Sequence, residues 1–223
     1  MANQQVAPTN AGETSYYDSN YFEWQRQMGE FGGIVELFKF QPHIKPTDRV
    51  IDFGCGGGYL LKNLQCAEKL GLEINPNARK TAAEQGITTV ANVTDVTDNW
   101  ADVIISNHAL EHTFRPLDEV QSLLPKLKKG GKIIFCVPLE KQSPYVPNDV
   151  NQHLYTWSEM NLGNLFATAG FSVESVREIK FKWPPRFWQL RKWFGPTIFT
   201  ILGKIWARYK SGISQVIVVA TKP

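Results

Sequence analysis

The stretch Val50 to Leu61, VIDFGCGGGYLL, places glycines at 54, 56, 57 and 58, directly after an apolar run that carries an acid at Asp52. Glycine lacks a Cβ, so such a loop lets a ligand lie against bare main chain and lets the chain adopt left-handed conformations. A dinucleotide loop, G-x-G-x-x-G/A, would need a third small residue for helix packing. Counted from Gly54 that position is Tyr59, and the fit fails. What stands instead is an acid two residues ahead of a G-x-G-x-G loop. Histidines supply a second kind of chemistry, because imidazole titrates near neutral pH and suits a general base. His108 and His112 are four apart, the spacing of one helical face, and His153 stands just before a capped helix. Two histidines without a third ligand in a motif make a poor zinc site. No metal is expected, and the three histidines are read as catalytic candidates.

These residues must be carried by elements that the sequence also marks. Arg49 to Phe53 reads as a buried strand and Tyr59 to Gln65 as the start of a helix. Lys69 to Ile74 is a second strand, followed by a helix over Asn75 to Gln85 with an Asn-Pro start and a Gly86 stop. Ile87 to Val90 and Ala101 to Ser106 give two further strands. Leu117 to Lys128 reads as a helix closed by Gly130-Gly131, and Lys132 to Val137 as a fifth strand. Thr156-Trp157-Ser158-Glu159 has the form of a capping box opening a helix that ends at Gly170. Phe171 to Ile179 and Ser214 to Thr221 complete seven strands. Strands alternating with helices predict a mostly parallel sheet covered on both faces. Ligands bind such sheets beyond the carboxyl ends of the strands, where strand order reverses.

Composition sets bounds. The chain has 223 residues, 43% hydrophobic and 20% charged, which suits one globular domain. Cys55, Cys66 and Cys136 are widely spaced and form no CxxC pattern, so a disulfide framework is not expected and a reducing cytoplasm is. The polar, aromatic first 30 residues lack the form of a secretory signal. No apolar run reaches the ~18 residues that span a bilayer. Net charge is +3, yet Phe181 to Lys210 carries seven basic residues and no acid, leaving −4 on the remainder.

The loop with its preceding acid resembles motif I of the class I methyltransferases that use S-adenosylmethionine. ADVIISNHALEH, Ala101 to His112, is similar to their motif IV, and LPKLKKGGKIIFCVP, Leu124 to Pro138, to the helix, turn and strand that follow. HLYTWSEMNLGNLFATAGFSVESV resembles the sixth strand and its helix in small-molecule branches of that family. The resemblance implies a Rossmann-like α/β fold with a seven-stranded sheet, helices on both faces, the last strand antiparallel and a helical insert before it. It implies S-adenosyl-L-methionine as cofactor. Asp52 would face its positive charge, Gly54, Cys55, Gly56 and Gly58 would pass under its amino acid end, and Glu73 with Ile74 would receive the ribose. Two acceptor oxygens on one carboxylate suit a vicinal diol. Asn92 and Val93 fall where the family places its adenine contacts, with Asp95 as rival to Asn92. Asn107 and His108 stand at the pocket mouth. Asn107-His108-Ala109-Leu110 replaces the Asn-Pro-Pro-Tyr of many DNA adenine methylators, which disfavours a nucleobase.

Two regions fall outside that frame. Residues 1–48 form an aromatic leader, with Tyr16, Tyr17 and Trp24 as lid candidates, ahead of a methyltransferase domain over 49–223. Plain packing on the sheet is the other reading of the leader. Between the last two strands, residues 181–210 hold nine aromatics among the basic residues, where a hairpin of roughly two to five residues would suffice. Pro184-Pro185 and Gly195-Pro196 divide the insert into two short helices. It suits an anionic membrane surface, a substrate lid or a homodimer face, and these are favoured over nucleic acid. The expectation is methyl transfer to an oxygen or nitrogen of a small molecule, such as a lipid-linked or glycan intermediate, at the inner membrane surface. A methyltransferase-like fold that binds cofactor or partner without catalysis is the alternative.

Overall fold

The computed structural model describes residues 28–139, 151–209 and 214–223, together with 145, 147 and 149. Tyr16, Tyr17 and Trp24 lie outside these residues. Residues 28–35 are helical and run through a turn at Glu36 into α1, Leu37–Phe40. The chain then alternates as the sequence predicts: β1 (Arg49–Phe53), α2 (Tyr59–Asn63), β2 (Glu68–Leu72), α3 (Pro76–Glu84), β3 (Thr88–Val90), β4 (Ala101–Asn107), α4 (Pro116–Leu123), β5 (Leu127–Leu139), α5 (Glu159–Thr168), β6 (Ser172–Ile179), α6 (Phe187–Tyr209) and β7 (Ser214–Thr221).

The strands form one seven-stranded sheet in the order β3-β2-β1-β4-β5-β7-β6. β1 to β5 are parallel, whereas β7 runs antiparallel to both of its neighbours. Strand order reverses between β1 and β4, and their carboxyl ends, Phe53 and Asn107, open on one crevice. Side chains alternate across the sheet, as the pleat requires. Ile133, Phe135 and Val137 pack on one face with Leu123 of α4 and Leu162 and Phe166 of α5. Ile134 and Cys136 pack on the other with Phe31, Phe40, Leu60, Leu61 and Phe199. The leader helix, α2, α3 and α6 therefore share the second face.

Three local readings are corrected. Ser158, and not Thr156, caps α5: its hydroxyl accepts from Asn161 N–H at 3.2 Å, and Asn161 Oδ1 accepts from Ser158 N–H at 2.6 Å. Glu159, the acid expected to close the earlier box, accepts instead from Glu178 N–H on β6 at 2.6 Å. Gly130-Gly131 does not close a helix; α4 stops at Leu123, and the two glycines lie inside β5. There Gly130 N–H donates to Lys222 O and Lys222 N–H to Gly131 O, at 2.9 and 3.0 Å. A Cβ on Gly131 would press on the Asp102 carbonyl, so the chain can pass only as glycine. His108 and His112 share no helical face, because His108 precedes the 3-10 turn Leu110–His112 in a left-handed conformation (φ 58°).

The insert does divide as expected. Gly195 (φ 73°, ψ 177°) breaks α6 into two helical pieces, with Pro196 opening the second.

Candidate functional site

β1 ends at Phe53 and the chain turns at once, with φ of 70°, 52° and 76° at Gly54, Gly56 and Gly58. Three left-handed positions in five residues are a demand that glycine meets at no steric cost. Gly54 and Cys55 N–H groups donate to Leu72 O at 2.8 and 3.1 Å, stitching the loop to the end of β2. A Cβ on Gly54 would collide with Ala109 Cβ beyond β4, and one on Gly71 would collide with Cys55 Sγ. The loop thus lies against its neighbours with no room for side chains. Burial, with the Asp52 and Glu73 carboxylates next in effect, pushes the Cys55 thiol well up, so it remains a neutral packing group.

The two acids sit as a pair behind this loop. Asp52 is 2% exposed; burial, then the charge of Glu73, pushes its carboxyl well above the usual range. Glu73 stands one residue past β2. Its Oε2 accepts from Gly56 N–H and its Oε1 from Asn75 N–H, both at 2.8 Å. Burial raises its pKa, against the pull of these N–H groups and Arg79. A carboxylate has about four lone-pair sites, so each oxygen retains one for a ligand hydroxyl. Arg79 donates to the carbonyls of Glu73 and Ile74 at 2.9 and 2.8 Å. Asn75 caps α3 by accepting from Asn77 and Ala78 N–H.

Over Asp52 and the loop lies a cavity of about 730 Å³, walled by the leader helix, the end of β4 and the insert. Asp52, Gly54, Cys55, Gly56, Asn107 and His108 all line it, so the structure brings together six of the thirteen residues singled out from the sequence. Gly58 is the left-handed residue that caps α2. Glu73, Ile74, Asn92 and Val93 do not line that cavity; Glu73 N–H donates to Val90 O at 3.0 Å, tying the end of β2 to that of β3. Ile74 and Asn92 are exposed and Val93 packs partly on the core. His112 and His153 do not line the cavity either; their rings meet edge to face, with centroids 5.0 Å apart.

Sequence reasoning missed a buried polar network in the wall. Lys39 is 1% exposed, pairs with Glu36, and donates to Asn107 Oδ1 at 3.1 Å. Glu36 Oε1 in turn accepts from Trp183 Nε1 of the insert at 3.2 Å. Burial works against the Lys39 charge, but Cys136 and Glu36 outweigh it and its pKa is raised. The signal was present: Glu36 and Lys39 are the two charges in the apolar run FGGIVELFKF. Tyr59, which spoils a dinucleotide loop, is the surface on which the leader lies, since a Cβ on Gly29 would meet its ring and one on Gly33 its carbonyl. His108 turns Nδ1 to the wholly buried Glu111 at 3.3 Å. Burial disfavours the imidazolium, but Cys136 and Glu111 prevail and the His108 pKa rises.

A glycine turn at the point of strand reversal, with one buried acid beneath it and a second holding its backbone, fits a cationic nucleoside with a ribose. Fold and site together define a class I S-adenosylmethionine-dependent methyltransferase domain, with S-adenosylmethionine as the cofactor. The chain belongs to the methyltransferase domain family, whose model matches residues 24–176. It is 30% identical over 115 residues to the ribosomal protein L11 methyltransferase of Ralstonia pickettii, covering 48% of this chain and 37% of that protein. It is 32% identical over 99 residues to the ubiquinone biosynthesis O-methyltransferase of Pectobacterium atrosepticum, covering 39% of this chain and 41% of that one. The chain thus spans less than half the length of these curated relatives. Among solved structures, a SAM-dependent methyltransferase from Archaeoglobus fulgidus shares the fold, with a TM-score of 0.65 at 20% identity over 92% of this chain and all of that one.

Two outcomes follow for cofactor affinity. Glu73→Ala removes hydrogen bonds to a charged acceptor, worth about 1.5–3 kcal/mol each. Calorimetry should show S-adenosylmethionine bound at least roughly tenfold more weakly, and unchanged affinity would remove Glu73 from the ribose site. The pH dependence has a definite sign. A bound cation favours ionised Asp52 and lowers its raised pKa, so binding releases a proton and tightens as pH rises through that raised value. Calorimetry in buffers of different ionisation enthalpy reads this release, which Asp52→Asn should abolish.

Proposed function

We propose that this chain transfers the methyl group of S-adenosylmethionine to an oxygen or nitrogen of a small, apolar acceptor that reaches the site from an anionic membrane surface. The observation that carries this reading is the construction of the cavity. Its floor is the bare glycine loop over Asp52, and its roof is the insert, whose outer side is apolar and basic. Bound there, the cofactor supplies a methyl on a sulfonium, with its leaving group already activated.

The chain's own task is alignment and exclusion of water. Asp52 and Glu73 fix the cationic and ribose parts, and Asn92 with Val93 border the base. Asn107, held by Lys39, and His108, held by Glu111, meet the acceptor at the mouth. A group clamped by a buried partner keeps one orientation, which is what an in-line displacement over about 3 Å requires. His108, kept as an imidazolium by Cys136 and Glu111, lines the cavity where His112 and His153 do not, and is the candidate to donate a hydrogen bond to the acceptor. The relative named for O-methyl transfer in ubiquinone biosynthesis supports an oxygen acceptor.

The insert supports the membrane part of the proposal. Phe199, Gly203 and Ala207 are the buried stripe of the second half of α6, and a Cβ on Gly203 would strike the Phe181 ring. Ile198, Ile201 and Ile205 repeat on the opposite side at helical spacing and are 47%, 51% and 43% exposed. Tyr209 continues this spacing at 80% exposed, and Trp193, on the other helical piece, is 68% exposed. Lys204 and Arg208 flank this stripe, and each cation near an anionic surface contributes about 1 kcal/mol. No helix among the described residues is long and apolar enough to cross a membrane, so the proposed contact is a surface one.

A single experiment joins both parts. The chain is floated with phosphatidylglycerol vesicles, and production of S-adenosylhomocysteine is followed with a panel of phenolic and amine acceptors presented in the same vesicles. Flotation that fails with neutral phosphatidylcholine, and fails for an Ile201→Glu, Ile205→Glu double variant of unchanged thermal midpoint, is the expected result. Cofactor binding with no turnover on any acceptor would turn the reading toward a non-catalytic binding protein, and turnover without flotation would leave the insert as a lid.

A further inference from the structure

We propose that Glu111, His112 and His153 form a binding site for one divalent transition-metal ion beside the acceptor end of the cavity. One ligand atom from each lies within 4.8 Å of the others. The sequence gives no hint of this set, because its histidine pair is a different one: His153 arrives from 41 residues away, with Leu154 N–H donating to Glu111 O at 2.9 Å. Tyr155 pins the same segment by donating to Phe114 O, also at 2.9 Å. The 3-10 turn Leu110–His112 fixes the other side.

The pointer to a cation is Glu111 itself. Its residue is 0% exposed, and among the described residues neither carboxylate oxygen has a hydrogen-bond partner of good geometry. His108 Nδ1 pairs with Oε1 at 3.3 Å, and among the described residues no cation is paired with Oε2. A buried carboxylate left with an oxygen unpaired is costly, and a bound cation removes that cost. His112 and His153 each bring a ring nitrogen to the same space as the Glu111 carboxylate, a mixed nitrogen and oxygen donor set that suits a cation.

Two histidines and one carboxylate are the donor set of ions that accept mixed nitrogen and oxygen ligands and keep positions open, such as zinc, cobalt, manganese or iron in the divalent state. Magnesium and calcium prefer oxygen ligands, and one carboxylate is too few. Ligands at about 2.1 Å from an ion stand about 3–4 Å apart, so side-chain adjustments alone close the set. Because Glu111 also anchors His108, an ion here is one side chain from the cavity. Any part it has in orienting an acceptor oxygen rests on the methyl-transfer reading, whereas its binding does not.

The test uses the untagged full chain, stripped with a chelator and titrated with cobalt(II) while its visible d–d absorption is recorded. One saturable equivalent is expected, without the charge-transfer band of a thiolate ligand. His153→Ala and Glu111→Gln should each weaken binding by roughly tenfold or more. If Glu111→Gln fails to fold, His153→Ala, on the less buried segment, decides the matter. Absence of a saturable cobalt signal, or an unchanged one in His153→Ala, overturns the proposal and leaves the two rings as a packed pair. S-adenosylmethionine affinity measured on the same samples separates the two claims, since loss of the metal signal with cofactor binding intact sinks only this one.

Discussion

The carboxylate of Glu73 is the fixed point of the site. One oxygen holds Gly56 N–H and the other Asn75 N–H, so a single side chain ties the loop after β1 to the start of α3. Those N–H groups would otherwise compete for water in a half-buried crevice, and an unpaired buried donor costs about 1–3 kcal/mol. The loop's remaining freedom is removed by Leu72, whose carbonyl receives both Gly54 and Cys55. With the backbone so fixed, Asp52 stays buried beneath it in a place where only a cation makes ionisation favourable. The acid that holds the loop thus also sets the electrostatic selectivity of the floor.

The wall of the cavity is organised by a second buried pair. Lys39 and Glu36 are both inside the protein, where ion pairs give little net stability and fix arrangement instead. Here the arrangement is specific: Lys39 reaches Asn107 at the end of β4, and Glu36 reaches Trp183 in the insert. Leader, sheet and insert are thereby locked in one relation. Phe31 adds the apolar counterpart, meeting the rings of Trp183, Phe187, Trp188 and Phe199 at centroid distances of 4.5–5.4 Å.

What the sequence revealed and what it hid divide along the range of the interactions. Gly54, Gly56 and Gly58 were legible because left-handed backbone is a local demand that few other residues meet. β1, β4 and β7 were legible because apolar runs buried on both faces read as strands without knowledge of their partners. The break at Gly195-Pro196 was legible for the same local reason. By contrast, Thr156-Trp157-Ser158-Glu159 looked like a capping box until β6 claimed Glu159. Gly130-Gly131 looked like a helix stop until the end of β7 paired with it. The partners of Lys39 and Trp183 lie 68 and 147 residues away, and no spacing rule spans that distance. Ile74, Asn92 and Val93 were placed by resemblance, and they are not among the residues that line the cavity.

The antiparallel setting of β7 has a further meaning. Ile179 and Gln215 are register partners, so the polypeptide leaves the sheet for the insert and re-enters it at almost one point. A segment spliced in at such a junction imposes no constraint on the remaining strands, and loop-closure entropy grows slowly with its length. An element of another size or polarity can therefore stand at this junction while the seven strands keep their pairing.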